Sequence, residues 1–324
     1  MSTNTGNGNL IEFKPNCLLY PFGLYNNSII CYFNSLIQTL LTCTSITDYL
    51  INNKEKFTSN KFLSIYINII EKYIIENHKS DFLVENLNLV LFNEFMKNIK
   101  QKNKQFGFDQ EDSGELLILL LEIINDKYIN NLFLHKYKCD IYCKECKEII
   151  NINNDSNIFY EVNLNEINNN YLKFEIDKNL DNLNKFIRNN YSEIENYKCK
   201  KCKAINAIKI NRLILVPTII VINLNKYFNK YNYQYPIELY FINKQLKTKY
   251  KYKLISIINH SGNQNFGHYI AKSIRKNHEN ENITDKLFDT YLFNDTSYQK
   301  DTFKSDTNSY LLFYHFIDST EFYD

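Results

Sequence analysis

The chain has 324 residues, a formal net charge of +2 and 44% apolar residues. That length allows one large domain or two small ones, and that apolar fraction supplies a substantial core. No long basic run is present, which excludes a protein built chiefly for nucleic acid or an anionic membrane surface.

In chain order, residues 1–9 are polar and lack the apolar stretch of a signal peptide. No run reaches the ~20 apolar residues of a membrane helix. A cytoplasmic or nuclear setting is therefore expected, with the eight cysteines reduced and serving as metal ligands, nucleophiles or core residues. The stretch Gly23 to Gln38 has two halves. Up to Ile30 it reads as turn and loop. From Cys31 on, Phe33, Leu36, Ile37, Leu40 and Leu41 recur at helical spacing and predict a helix beginning at or near Cys31. A cysteine there faces unpaired amide N–H groups and the positive end of the dipole, both of which favour thiolate. Asn26 lies within loop reach, and its amide can donate to an oxyanion beside the sulfur. The competing reading is a buried core cysteine.

The first third continues helical. Phe62, Ile65, Tyr66, Ile69, Ile70, Tyr73 and Ile74 share one face, and Leu91, Phe92, Phe95, Met96 and Ile99 another. Gln110 to Glu115 leads into an apolar run from Leu116 to Ile124, a helix start with acids in its first turn. From about Lys138 the character turns to β. Strands are expected at 158–164, 213–224, 237–241, 252–260, 268–275 and 309–316, with the Asn-rich stretches 151–157 and 163–170 as solvated connections. Helices followed by strands indicate an α+β fold.

Three constellations carry chemistry. Cys143-Lys-Glu-Cys146 and Cys199-Lys-Lys-Cys202 are two Cys-x-x-Cys knuckles, whose two-residue gap turns both sulfurs toward one ion. Together they predict one structural zinc per chain with no position open for water; Cys139 is a spare with worse spacing. Next, His260 to Tyr269 reads as a Gly-containing loop between two strands. His268 follows Gly267 and can act as general base toward a thiol, with His260 its rival by position. His78, His135, His278 and His315 suit a structural reading. Last, Asn294 or Asp295, after Tyr291 and Phe293, can hold the far imidazole nitrogen, although alone this segment reads as a turn.

The order of cysteine, acidic helix, two knuckles, Gly-His-Tyr and Phe-Asn-Asp resembles the ubiquitin-specific proteases, papain-like cysteine deubiquitinases. Gly23-Leu24-x-Asn26 with Cys31-Tyr-Phe-Asn-Ser-Leu-x-Gln38 looks like the family's cysteine box, and Gln110-x-Asp112-x-x-Glu115 like its Gln-Asp-Glu box. Pro217 and its neighbours, Tyr235-Pro-Ile-x-Leu239, His260-x-Gly262 through Tyr269, and Tyr310 to Tyr314 follow in the family's order. The resemblance implies a helical thumb at about 21–135 and β-rich palm and fingers at about 136–318, the fingers pinned by zinc. Together they make one catalytic domain, 21–318, between an N-terminal extension, 1–20, and a tail, 319–324. By matched position it implies Cys31 as nucleophile, His268 as base, Asn294 as its orienting partner with Asp295 sharing that role, and Asn26 as oxyanion donor. Gln110, Asp112, Glu115 and Tyr269 fall at substrate-binding positions, the two acids facing either the arginines of a ubiquitin tail or only their own helix start. The implied reaction is thiol-dependent hydrolysis at the ubiquitin C-terminal glycine, by a monomer whose partners are ubiquitin and its conjugates, with neither nucleic acid nor membrane. One departure stands out: Ser28-Ile29-Ile30 replaces the family's Gly-Asn-Thr-like segment. It keeps a second reading open, a catalytically weak ubiquitin-binding scaffold. A zinc module for nucleic acid is disfavoured by the near-neutral charge.

Overall fold

The computed structural model describes residues 10–26, 29–75, 87–100, 110–163, 189–194, 196–225, 235–243, 247–263, 266–277, 288–304 and 306–321. His78, His278, Ser28, Gly107, Asp109 and the connection after Asn163 lie outside them.

Among the described residues six α-helices come first: α1 (Cys31–Leu40), α2 (Thr44–Asn52), α3 (Lys61–Ile75), α4 (Leu87–Lys100), α5 (Ser113–Ile124) and α6 (Lys127–Phe133). All ten residues of α1 are buried. Such a helix must satisfy its polar side chains internally. Thr39 donates to the Ser35 carbonyl and meets Ser256 Oγ at 2.9 Å, and Gln38 Nε2 donates to the Phe22 carbonyl at 2.7 Å. Around α1, Phe33, Leu36, Phe95, Leu116, Leu120 and Phe133 form the helical core, which continues into Val221, Ile258 and Phe313 of the sheet. Among the described residues no helix is long and apolar enough to cross a membrane.

Among the described residues twelve strands follow, β1 (His135–Cys143), β2 (Ile149–Asn157), β3 (Phe159–Asn163), β4 (Asn189–Ile194), β5 (Ala207–Leu215), β6 (Ile219–Asn225), β7 (Glu238–Asn243), β8 (Thr248–Gly262), β9 (Gly267–Lys276), β10 (Phe288–Asn294), β11 (Ser297–Asp301) and β12 (Ser309–Glu321). They make two sheets. The smaller has the order β2-β1-β5-β4; the larger runs β11-β10-β9-β8-β12-β6-β3, with β7 also on β8. The α+β expectation holds, with the change from helix to strand at His135.

Two strand expectations need correction. Residues 151–157 form most of β2, an edge strand whose backbone pairs from Asn157↔His135 to Ile149↔Tyr142. Ladder hydrogen bonds come from the backbone, so an Asn-rich edge can be strand wherever its neighbour offers a free side. The single strand expected over 213–224 is two strands in different sheets, ending at Leu215 and restarting at Ile219. Pro217 lies in the gap, and without an N–H it cannot continue a central ladder.

β9 is bound to the end of α1 by Arg275. Its side chain is fully buried; Nη2 donates to the Gln38 carbonyl at 2.7 Å and Oε1 at 2.8 Å, and Nη1 donates to Thr42 Oγ1. The guanidinium lies over the Phe293 ring of β10 at 4.9 Å. A cation at a helix C-terminus meets the negative end of the dipole. This clamp sets α1 against the strands that carry His268 and Asn294.

Candidate active site

Cys31 is the first residue of α1, as the helical spacing predicts. His268 is the second residue of β9, with the Cys31 side chain beside its imidazole. That neighbour is the first cause that raises the imidazole pKa to about 9; partial burial opposes it, and Asn294 adds to it. Asn294 ends β10, and its Oδ1 lies 2.7 Å from His268 Nε2. An amide oxygen can only accept, so Nε2 carries the proton and the other ring nitrogen is left for the sulfur. The segment around Asn294 is strand, and the turn begins one residue later.

Asp295 is that turn residue, with φ 50°, a left-handed conformation that aspartate tolerates. Its charge adds to the rise in the His268 pKa. Its carboxylate accepts from Asn26 Nδ2 at 2.9 Å and from Asn34 Nδ2 at 2.8 Å. Asn34 also reaches the Tyr25 carbonyl, which in turn accepts from the buried Asn88 of α4 at 2.6 Å. Asp295 thus holds the amide expected to face an oxyanion, and Asn34 and Asn88 hold the loop that carries it. The approach is close: a Cβ on Gly23 would lie 2.1 Å from the Thr296 carbonyl oxygen, and Leu24 N–H donates to the Asp295 carbonyl at 2.8 Å. Only glycine fits at position 23 without moving the turn.

The rival histidine, His260, stacks on Tyr269 at 4.4 Å between ring centroids. Its Nε2 would lie 2.1 Å from a Cβ on Gly267, which is why glycine precedes the strand there. The Asn294 bond belongs to His268, and it is the His268 imidazole on which the Cys31 side chain acts. His315 is structural: its two ring nitrogens lie 2.9 Å from the Phe316 carbonyl and 2.9 Å from Ser45 Oγ. His135 is buried in ring contact with Tyr160.

The candidate substrate acids separate. Asp112 is the N-cap of α5, accepting from Gly114 N at 2.7 Å and Glu115 N at 3.0 Å. The Tyr310 hydroxyl donates to the same carboxylate, 2.8 and 2.7 Å from its two oxygens, and Tyr269 OH lies 3.4 Å away. For Asp112 the geometry is that of the helix start, one of the two readings left open above. Tyr269 is buried between His260 and Tyr310. Glu115 is exposed, and partial burial followed by the charges of Glu111 and Asp112 raises its pKa. Gln110 lies against Cys31, its Nε2 3.7 Å from Sγ.

Far from this site, the sulfurs of Cys143, Cys146, Cys199 and Cys202 all lie within 4.8 Å of one another. Cys143–Cys202 and Cys146–Cys199 are each 3.6 Å apart. Tetrahedral Zn–S bonds near 2.3 Å require S–S separations of about 3.8 Å. The two knuckles are alike: Cys143 N donates to Glu148 O and Cys199 N to Ala204 O, while Lys147 and Lys203 each take φ near +60° and donate back to the first cysteine. The backbone N–H of Cys202, and next that of Lys201, draws the Cys199 thiol pKa down, while Cys146 opposite it is raised. Four sulfurs, two matched turns and inward N–H donors suit a thiolate-bound zinc. Cys139 is buried on β1 outside the cluster.

Missing from the sequence reading were the part of Asn34 in the Asp295 network and those of Asn88 and Arg275. Arg275 left a signal, since it falls in period two with Ala271 and Ser273 on the buried face of β9.

If the Cys31–His268–Asn294 chain is a catalytic relay, Asn294→Ala is expected to lower kcat by roughly 10- to 1000-fold with little change in KM. Asn294→Asp should keep much of the activity. Asp295→Ala should also reduce kcat, because Asn26 and Asn34 both lose their acceptor. Kinetics on a fluorogenic substrate with folded variants check this; full activity in both alanine variants would remove the turn from the mechanism.

Residues 22–314 match the family model described as ubiquitin carboxyl-terminal hydrolase. No curated protein matches the chain. Among solved structures it is similar to the SAGA DUB module Ubp8/Sgf11/Sus1/Sgf73 bound to monoubiquitin, with 18% identity and a TM-score of 0.68 over 98% of this chain and 73% of the other. It is also similar to that module bound to ubiquitin aldehyde, with 18% identity and a TM-score of 0.64 over 97% and 72% of the two chains. A yeast SAGA DUB module with a variant Sgf73 gives 18% identity and 0.65 over 93% and 69%. At these identities the structural likeness speaks for the fold.

Proposed function

The chain belongs to the ubiquitin carboxyl-terminal hydrolase family, and from that premise we propose that it is a thiol-dependent deubiquitinase, with residues 21–318 as its catalytic domain. The observation that carries this reading is that His268 stands between Cys31, whose side chain raises the imidazole pKa, and Asn294, whose Oδ1 lies 2.7 Å from its Nε2. A cysteine with a base, and a base with a neutral partner that fixes its tautomer, is the arrangement nucleophilic acyl transfer needs.

The steps follow from the geometry. The Cys31 thiolate attacks the carbonyl of the C-terminal glycine of ubiquitin. The carbonyl oxygen becomes an oxyanion and is met by an N–H of Asn26, whose other N–H is tied to Asp295, and by the backbone N–H of Cys31. The imidazolium of His268 gives its proton to the departing lysine amine. A thioester remains, and water deprotonated by His268 hydrolyses it, returning the thiol. The exposed Glu115 is the acid best placed to attract a guanidinium of the ubiquitin tail; the Asp112 carboxylate is engaged with its helix and Tyr310.

Cys143, Cys146, Cys199 and Cys202 would hold one zinc, which when bound cross-links the two knuckles and takes no part in the chemistry. Turnover of ubiquitin carrying a C-terminal fluorophore, blocked by thiol alkylation, is the test. A folded protein that binds ubiquitin but does not release the fluorophore would establish the scaffold reading instead.

A further inference from the structure

We infer that Gln110 is a donor to the nucleophile itself: its amide N–H holds the Cys31 sulfur while its carbonyl holds the backbone of the histidine strand. This deepens the reading above, since it takes Cys31 as the nucleophile.

The orientation of the amide follows from its partners. Gln110 Oε1 lies 2.8 Å from the Gly267 backbone nitrogen, which can only donate. The oxygen is therefore the atom on that side, and the nitrogen is the atom 3.7 Å from Cys31 Sγ. Sulfur is large and diffuse, so its hydrogen bonds are longer than those to oxygen. Such a bond is stronger to a thiolate than to a thiol, because a charged acceptor strengthens it. It therefore favours the reactive form whatever the state of His268.

Gln110 is held for this task. Two residues on, Asp112 caps α5 and is gripped by Tyr310, fixing the segment on one side. On the other, the Gly267 bond fixes the start of β9 immediately before His268. One side chain thus joins three elements at the sulfur: the lead into α5, the first residue of α1 and the first residue of β9.

Two roles must be told apart: donation to the sulfur, and placement of His268 through Gly267. The pH dependence of Cys31 alkylation by iodoacetamide, followed by mass spectrometry of the Cys31 peptide, reads the thiol directly and needs no ubiquitin. Gln110→Ala is expected to raise the alkylation midpoint by about one pH unit in the otherwise native chain. The decisive arm repeats the measurement in a His268→Ala background, where placement of the imidazole no longer matters. There Gln110→Ala is again expected to raise the midpoint by about one pH unit. No change in that background would mean that Gln110 works only through His268 and would overturn the donor role, as would an unchanged midpoint in the native background. Thermal melts establish that each variant is folded. Failure of the native chain to hydrolyse ubiquitin substrates would remove the enzymatic reading while leaving these midpoints as they are.

Discussion

Replacing His268 with alanine is expected to lower kcat/KM on a fluorogenic ubiquitin substrate by about 10²- to 10⁴-fold, the range that a positioned acid–base group contributes. The side chain has three tasks in the proposed mechanism: it accepts the Cys31 proton, protonates the leaving amine and activates the water. Among the described residues no other histidine can take them over. His260 is stacked on Tyr269, and His315 and His135 are buried elsewhere. The pH profile gives a second readout. The His268 pKa is raised to about 9, first by the Cys31 side chain, so the imidazolium needed for the leaving amine persists through neutral pH. Native activity should fall as pH rises through about 9, and the alanine variant should lack that limb. The sign for stability is the same. With a folded pKa above the unfolded value of 6.5, the contribution of His268 is full below 6.5 and is lost as pH rises through about 9. A variant that kept more than about a tenth of native activity would be incompatible with His268 as the base.

Replacing any one of Cys143, Cys146, Cys199 or Cys202 with serine is expected to release the bound zinc and destabilise the protein by roughly 3 kcal/mol or more. The size follows from the architecture. The small sheet closes on these two turns: Cys143 ends β1, and its backbone pairs with Ala207 at the start of β5. Without a metal, four sulfurs brought within 4.8 Å of one another would gain little from their proximity, and two loops would carry the entropy of being ordered. Elemental analysis should give one zinc per chain in the native protein, and thermal melts should show the same loss of stability on chelation as in the serine variants. Native protein without bound zinc, or serine variants as stable as the native chain, would contradict this assignment. Cys139→Ser should leave the zinc content unchanged.

The helices were legible because α3 and α4 each bury one periodic face and the large apolar residues of the fully buried α1 recur at the same spacing. The zinc knuckles were legible for a similar reason, since their ligand spacing is local. What escaped the sequence was set by partners distant in the chain. Residues 151–157 carry no strand signal of their own and become β2 only because β1 offers a free edge. The roles of Asn294 and Asp295 could be separated only when β10 fixed one as the last strand residue and the other as a left-handed turn residue. Gln110 showed only as part of a motif, because what it does depends on two atoms, Cys31 Sγ and Gly267 N, from separate parts of the chain. The capping position of Asp112 was foreshadowed by the acids at the helix start, whereas its grip on Tyr310 spans 198 residues and leaves no local trace.

The most direct measurement of the central claim is exposure of the folded native chain to ubiquitin carrying a C-terminal electrophile, with the adduct mapped by mass spectrometry. Cys31 has the imidazole, the helix start and the Gln110 amide around it, whereas Cys43 is fully buried and burial pushes its thiol pKa up. The account predicts one ubiquitin per chain, attached at Cys31 alone among the eight cysteines. Attachment at Cys17 or another cysteine, or no adduct from protein shown to be folded, would contradict it.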